Sequence, residues 1–426
     1  MSNVCWHAGS QVRLLENGED FFPWVFEAVD SAKTEVLIET FIFENDSVGD
    51  ALRLHLIAAA RRGVDVQVVA DGYGSAELAP RKITEMIDAG VQFRFYDPQP
   101  RVMNVRVNLF RRLHRKLVVI DGEVASVGGI NFTLQHLREY GALSKQDYAV
   151  EVRGPVVADI RALALTHALP RPRAHLRAWR RISSLAGNAM RQLRSGETEI
   201  ALVQRDNQAH RNDIERIYRV GIRSARRRIV IANAYFLPGY RLLRDLRNAS
   251  RRGVEVSLIL QGNPDMPIVR AATVALHDYL LRGGVRIYEY VERPLHAKVA
   301  VIDDEWSTVG SSNLDPLSLF LNLEANLVIR DVAFNQRLSS SLEALMARHC
   351  KQLDAAAARN PTWRRQALSF FAFHLIRRMP RVAGWLPAHI AKAGIPDLTT
   401  TAAKAALQGD DRSTDTDSRS AAATKP

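Results

Sequence analysis

Short β-branched apolar runs alternate along this chain with longer stretches whose apolar positions recur three and four residues apart, the spacing of one helical face. Taken in order, the pattern predicts a helix over 22–33, a strand over 35–43, a helix over 50–62, a strand over 64–69, a helix over 77–89 and a strand over 91–96. Gly63 and Gly90 each close a helix just before the next strand. From Ala225 onward the same order returns. The run 228–236 repeats the first strand, Arg251-Arg252-Gly253-Val254 repeats Arg61-Arg62-Gly63-Val64, and Gly284-Val285 repeats Gly90-Val91. An internal duplication built from alternating strands and helices predicts an α/β fold, with one α/β sandwich in each half. Strand order and direction are left open by the pattern.

The apolar run that follows 91–96 carries polar residues at fixed offsets, and it too occurs twice. His114-Arg115-Lys116 leads into Leu117-Val118-Val119-Ile120 and Asp121, with Gly128-Gly129-Ile130-Asn131 beyond. His296-Ala297-Lys298 leads into Val299-Ala300-Val301-Ile302 and Asp303, with Gly310-Ser311-Ser312-Asn313 beyond. Both copies, 114–131 and 296–313, read H-x-K-x4-D-x6-G-[GS]-x-N. So long a fixed pattern does not recur by accident, and we read the two copies as one active site. Side chains alternate along a strand, which puts His and Lys of each copy on one face and the Asp on the other. Asp121 and Asp303 are therefore expected to anchor their own strands or loops.

Two histidines and two lysines facing one another, with two asparagines beyond, suit a phosphate diester. Protonated lysines are point charges for an anion rather than metal ligands, and Asn131 and Asn313 add neutral donors for the non-bridging oxygens. Neutral imidazole attacks phosphorus, and imidazolium protonates an alkoxide leaving group, so one histidine does each job through a covalent phosphohistidine. No metal or other cofactor is expected. Arg111, Arg112 and Arg115 crowd His114 in sequence and should disfavour its charged form, which makes His114 the expected nucleophile and His296 the acid/base. A histidine held in one tautomer donates its other nitrogen to a carboxylate. Asp147 and Glu324 lie at comparable distances downstream and each opens a predicted strand, although a surface role fits them equally on spacing alone. His7, His55, His136, His175, His210, His277, His374 and His389 are read as ordinary core or surface residues.

Composition changes the picture through charge. The chain of 426 residues is long enough for two lobes with cores of their own, and its net charge is +12. No acid occurs between Asp159 and Glu197 or between Asp354 and Asp397, and both gaps hold several arginines. Blocks of that kind point to anionic partners, lipid headgroups or nucleic acid. The basic linker 161–197 contains Trp179 among arginines, and 356–396 sets bulky apolar residues between Arg and Pro, the pattern of a segment lying in a membrane interface. The tail 397–426 lacks apolar periodicity and reads as disordered. The first half also carries about twelve extra residues, 101–112, apolar and cationic, for which a lipid grip and a plain surface hairpin both fit. The two cysteines, Cys5 and Cys350, cannot form a disulfide framework, and a reducing compartment is expected. The N-terminus lacks a secretory pattern, and no apolar run reaches a membrane span.

The paired motif resembles that of the phospholipase D superfamily. The runs Leu14-Leu15-Glu16-Asn17-Gly18, Asp71-Gly72-Tyr73-Gly74, Pro264-Asp265-Met266-Pro267-Ile268 and 310–318 are similar to those of the superfamily's bacterial cardiolipin synthases, and the likeness covers nearly the whole chain up to the tail. The resemblance implies two phospholipase D-like lobes, 1–160 and 198–355, with the site at their pseudo-twofold interface. It implies that His114, Lys116, Asp121, His296, Lys298 and Asp303 make up the catalytic set and that Asp147 and Glu324 orient the histidines. It further implies transfer of a phosphatidyl group between two molecules of phosphatidylglycerol by a peripheral enzyme at the cytoplasmic face of the inner membrane, with anionic lipids rather than nucleic acid as partners. A hydrolase or nuclease of the same superfamily is the rival reading, and a non-catalytic membrane scaffold a remoter one.

Overall fold

A computed structural model describes residues 4–96, 101–102, 105–106, 111–167, 198–262, 276–354 and 393–394. Its two large sheets share one strand order, and the second carries an extra edge strand. In the first, the order across the sheet is Ala393–Gly394, Gln92–Tyr96, Asp65–Asp71, Glu35–Thr40, Leu117–Ile120, Val124–Gly128, Tyr148–Arg153 and Gln11–Glu16. In the second it is Cys350–Gln352, Arg286–Tyr290, Glu255–Gln261, Arg228–Asn233, Lys298–Ile302, Trp306–Gly310, Glu324–Arg330, Glu199–Arg205 and His7–Ala8. The pairs Glu35–Thr40 with Asp65–Asp71 and Asp65–Asp71 with Gln92–Tyr96 are parallel, as are their counterparts, and the motif strand adds antiparallel. Parallel neighbours need a crossover helix. Ser47–Arg61 supplies the first, capped where Asp46 accepts from the Gly49 amide and ended where Gly63 takes φ +88°.

Alternation along the motif strands divides the core into layers. Val118 and Ile120 pack under the outer helices of the first lobe, and Ala300 and Ile302 do the same in the second. Leu117 and Val119 share an inner core with Val299 and Val301 of the other sheet, joined by helices Val156–Ala164 and Val332–His349. The lobes thus meet through a buried apolar face that neither could leave open to water. Leu117 pairs with Glu39 and Lys298 with Asn233, so each motif strand begins where the neighbouring parallel strand ends. Both histidines are delivered to that end.

Element types follow the sequence expectation, and the boundaries differ. The first helix is Asn17–Ser31, starting ahead of the predicted 22–33, with Asn17 at φ +61° as the chain leaves its strand. The lobe limits 1–160 and 198–355 are crossed at both ends: His7–Ala8 pairs with Glu199–Arg205 of the second sheet, and Ala393–Gly394, expected in an interfacial segment, pairs with Tyr96 and Phe95 at the edge of the first. In the insert 101–112, Arg101–Val102 pairs with Val105–Arg106 as a two-stranded ladder. The expected lipid-facing side chains of 101–110, most of the linker 161–197, the interfacial segment 356–396 apart from that strand, and the tail 397–426 lie outside the described residues.

Candidate active site

The residue before each motif histidine is tied to its own lobe by a strand-end side chain. Asp71 Oδ2 accepts from the Leu113 amide at 2.8 Å, and Gln261 Oε1 accepts from the Leu295 amide at 2.5 Å. The backbone then crosses over. Leu113 bridges to Leu323, and the His114 amide donates to the Leu323 carbonyl; Leu295 bridges to Gln146, and the His296 amide donates to the Gln146 carbonyl. Those two exchanges bring the end of each motif's approach beside the residues that lead into a strand of the opposite lobe.

The side chains cross as well. His114 Nδ1 lies 3.0 Å from Glu324 Oε2, and His296 Nδ1 lies 2.5 Å from Asp147 Oδ2. Each imidazole is therefore oriented by the other half's carboxylate, although spacing alone pairs each carboxylate with its own half's histidine. Glu324 and Asp147 are fully buried. With Nδ1 of His114 donating to Glu324, Nε2 of that ring carries a lone pair.

The small residue of each motif sets how its carboxylate is held. A Cβ on Gly129 would lie 2.4 Å from Asp147 Oδ1, so only glycine lets that carboxylate approach. At the equivalent position Ser311 donates its hydroxyl to Glu324 Oε2 at 2.5 Å. Burial would raise Glu324, but His114, Lys116 and the Ser311 hydroxyl outweigh it and hold the carboxyl below its usual range. Burial wins at Asp147 and pushes it up, against Lys298, His136 and the Tyr148 amide. The two carboxylates are thus shifted in opposite directions and differ in length.

Lys116 Nζ donates to the His114 carbonyl at 2.7 Å, and Lys298 Nζ donates to that of His296. Burial pulls Lys116 down to about 7, against Glu324 and reinforced by Lys298, and pulls Lys298 down to about 8, against Asp147 and Glu324. An incoming phosphate would draw both back toward the charged form. His114 is lowered by burial, opposed by Glu324, with Lys116 and Lys298 adding. His296 is lowered well below its ordinary range by burial, Lys298, Lys145 and Lys116.

Two expectations are corrected. Asp121 and Asp303 do not join the histidines: they sit at the far ends of the motif strands in left-handed backbone, at φ +53° and +51°. Asp121 accepts from the amides of Lys33, Thr34 and Glu35, and Asp303 from those of Arg226, Arg227 and Arg228. Their motif role is to fasten a turn to the start of the parallel strand, as strand parity implies. The leading charges on His114 are also not the neighbouring arginines but Glu324, Lys116 and Lys298. Arg115 turns away to pair with buried Glu39 at 2.9 Å, and Arg112 lies 4.3 Å from the centre of the Tyr73 ring. Among the expected donors, Asn131 Oδ1 accepts from the Ile42 amide at 3.2 Å, while buried Asn313 Oδ1 has no partner. Asp71 and Gln261 were missed, and the signal was their shared place at the end of equivalent strands. His136, missed too, lies edge-on to His296 with ring centres 5.5 Å apart.

Comparison with known proteins agrees with this geometry. Residues 25–159 and 218–346 match the family described as cardiolipin synthase, PLD-like domain. The chain is 51% identical over 384 residues to cardiolipin synthase B of Salmonella typhi, covering 90% of this chain and 92% of that one. It is 50% identical over 384 residues to cardiolipin synthase B of Escherichia coli K12, with the same coverage. The fold matches a phosphatidylserine synthase structure from Haemophilus influenzae with TM-score 0.66, at 16% identity and covering 89% of this chain and 96% of that one. With both motifs intact across two matching lobes, the chain belongs to the cardiolipin synthase family of phospholipase D-like proteins.

Proposed function

We propose that this protein is a phosphatidyltransferase that converts two molecules of phosphatidylglycerol into cardiolipin and glycerol. The observation that carries the reading is the crossed pair of imidazole–carboxylate contacts, which gives one phosphoryl group a nucleophile on one side and an acid on the other. Half-identity to cardiolipin synthase B over nine-tenths of the chain supplies the substrate class.

The two sides divide the labour. His114 is the nucleophile, because its carboxylate is held ionised and keeps Nδ1–H fixed, leaving Nε2 to attack phosphorus. That assignment matches the one expected from sequence, on different grounds. His296 and Asp147, an imidazole pushed down and a carboxyl pushed up at 2.5 Å, hold their proton as one acid. In the first step the bond from phosphorus to the headgroup glycerol oxygen breaks, that oxygen takes the dyad's proton, and a phosphohistidine forms on His114. In the second, the headgroup hydroxyl of another phosphatidylglycerol gives its proton to the dyad and attacks phosphorus, freeing His114. Lys116 and Lys298, with Asn131 and Asn313, hold the non-bridging oxygens.

The enzyme works on the membrane surface as a peripheral protein, on the cytoplasmic face, drawn there by anionic lipid. Its net charge of +12 supports this, and no described helix is long and apolar enough to cross a bilayer. Purified protein incubated with phosphatidylglycerol liposomes should yield cardiolipin and glycerol. Phosphatidic acid with no cardiolipin would make it a hydrolase, and nucleic-acid cleavage without lipid turnover would make it a nuclease.

A further inference from the structure

The pseudo-twofold symmetry of the site also fails at a third imidazole, a buried one. Five residues beyond motif Asn131 stands His136, while five beyond Asn313 stands Ser318. Both lie on a short helical turn after the asparagine, Leu134–His136 and Pro316–Phe320. His136 is fully buried, and its Nε2 accepts from the Asn131 amide at 3.2 Å. That contact fixes the tautomer: Nε2 carries the lone pair, so the ring's proton is on Nδ1. Nδ1 is buried without a hydrogen-bond partner. A ring nitrogen of His136, a carboxylate oxygen of Asp147 and a ring nitrogen of His296 lie within 4.8 Å of one another.

We propose that His136 is a positioning residue for the acid side of the site, a neutral N–H donor whose dipole holds the Asp147–His296 dyad in the geometry that releases its proton to the departing glycerol. The inference rests on the assignment of His296 as acid. The groups facing His136 are Asp147, His296, Lys145 and Lys298, and burial keeps its own ring neutral well below the ordinary histidine range. A further cation would be costly beside Lys145 and Lys298, whereas a neutral dipole steadies the Asp147 carboxylate that forms as the dyad gives up its proton, without adding charge. A dipole needs no direct hydrogen bond to act across a few ångströms of dry interior. On the His114 side the corresponding need is met differently, by the Ser311 hydroxyl on Glu324.

Two variants separate the ring's two contacts. His136→Asn places an amide N–H near the position of Nδ1 and gives up the Nε2 acceptor, while His136→Gln keeps an acceptor for the Asn131 amide and gives up the Nδ1 donor. Glycerol release from phosphatidylglycerol liposomes is followed against pH for both, with thermal unfolding as a check on folding. Release counts transfer and hydrolysis alike, so the test holds even if water proves to be the acceptor. His136→Gln should lose roughly 10–100-fold in kcat, with its alkaline limb about one pH unit higher, since a dyad without the dipole gives up its proton less readily. His136→Asn should recover at least part of that loss and keep the wild-type profile. Wild-type behaviour of His136→Gln, or an equal loss in both variants with the profile unmoved, would overturn the inference and leave His136 as a prop for the Asn131 loop. Cardiolipin formation by the wild type is scored separately, so failure of the transferase reading is distinct from failure of this one.

Discussion

The two lobes share strand order, motif and crossed hydrogen bonding, yet the environments they build for the two imidazoles differ. Around His114 the supporting carboxylate is the longer Glu324, gripped by the Ser311 hydroxyl and held ionised. Around His296 it is the shorter Asp147, backed by Gly129, pushed toward its protonated form and accompanied by a third imidazole. A duplicated motif therefore supplies two copies of one functional group, and its surroundings decide which copy attacks and which gives a proton.

The most severe break of that comparison is removal of either ring. His114→Ala and His296→Ala should each lower transfer by roughly 10⁴-fold or more. Only His296→Ala should accumulate labelled phosphatidyl on the protein, and a good leaving group that needs no proton should partly rescue it alone. Label trapped on His114→Ala instead would reverse the roles.

A smaller loss tests the supports. Gly129→Ala forces a methyl against Asp147 and should cost at least tenfold in kcat together with about 1–3 kcal/mol of stability. Ser311→Ala removes a hydrogen bond from an ionised carboxylate and should cost roughly tenfold in kcat with less effect on stability. Equal costs in both measures would deny the difference between the two sides.

The pH profile follows from the lysines. Their charged forms hold the phosphate, and burial places Lys116 at about 7 and Lys298 at about 8. Folded values below the usual lysine range mean that charge is lost as pH rises through them, so kcat/KM of the free enzyme should fall on an alkaline limb in that window. A limb near the ordinary lysine value would show that the site is wetter than its burial implies.

The mildest effect on catalysis is expected at the motif aspartates. Asp121→Asn and Asp303→Asn should leave kcat nearly unchanged while lowering stability by about 1–3 kcal/mol, measured by denaturant unfolding. Burial would raise Asp303, but the amides of 226–228 and the Arg227 charge hold it below its ordinary value. Its stabilising effect is thus present above the unfolded carboxyl pKa and is lost as pH falls through the folded one.

Much of this was legible in the chain. Apolar periodicity located the motif strands, and parity alone assigned Asp121 and Asp303 to anchoring. Parity applied one residue further would also have sent Arg115 to the face opposite His114 and Lys116, where it meets Glu39. Nearness in sequence was mistaken there for nearness in space. The crossed carboxylates were not legible, because Glu324 lies 210 residues from His114 and Asp147 lies 149 from His296, and local spacing carries no information about which lobe closes on which. His136 was hidden for a different reason: its significance is a departure from the repeat rather than a part of it.

The crossing of backbone and carboxylate between the lobes has a consequence for what half of this molecule would be. One lobe expressed alone would present a histidine with no acid behind it and an inner apolar face with no cover, and it could complete itself only by meeting a twin in an isologous dimer. Joining the twins in one chain replaces that encounter with a permanent neighbour at high effective concentration. It also lets the two copies diverge, which identical subunits cannot do, and the unlike carboxylates and the solitary third imidazole are the form that divergence has taken.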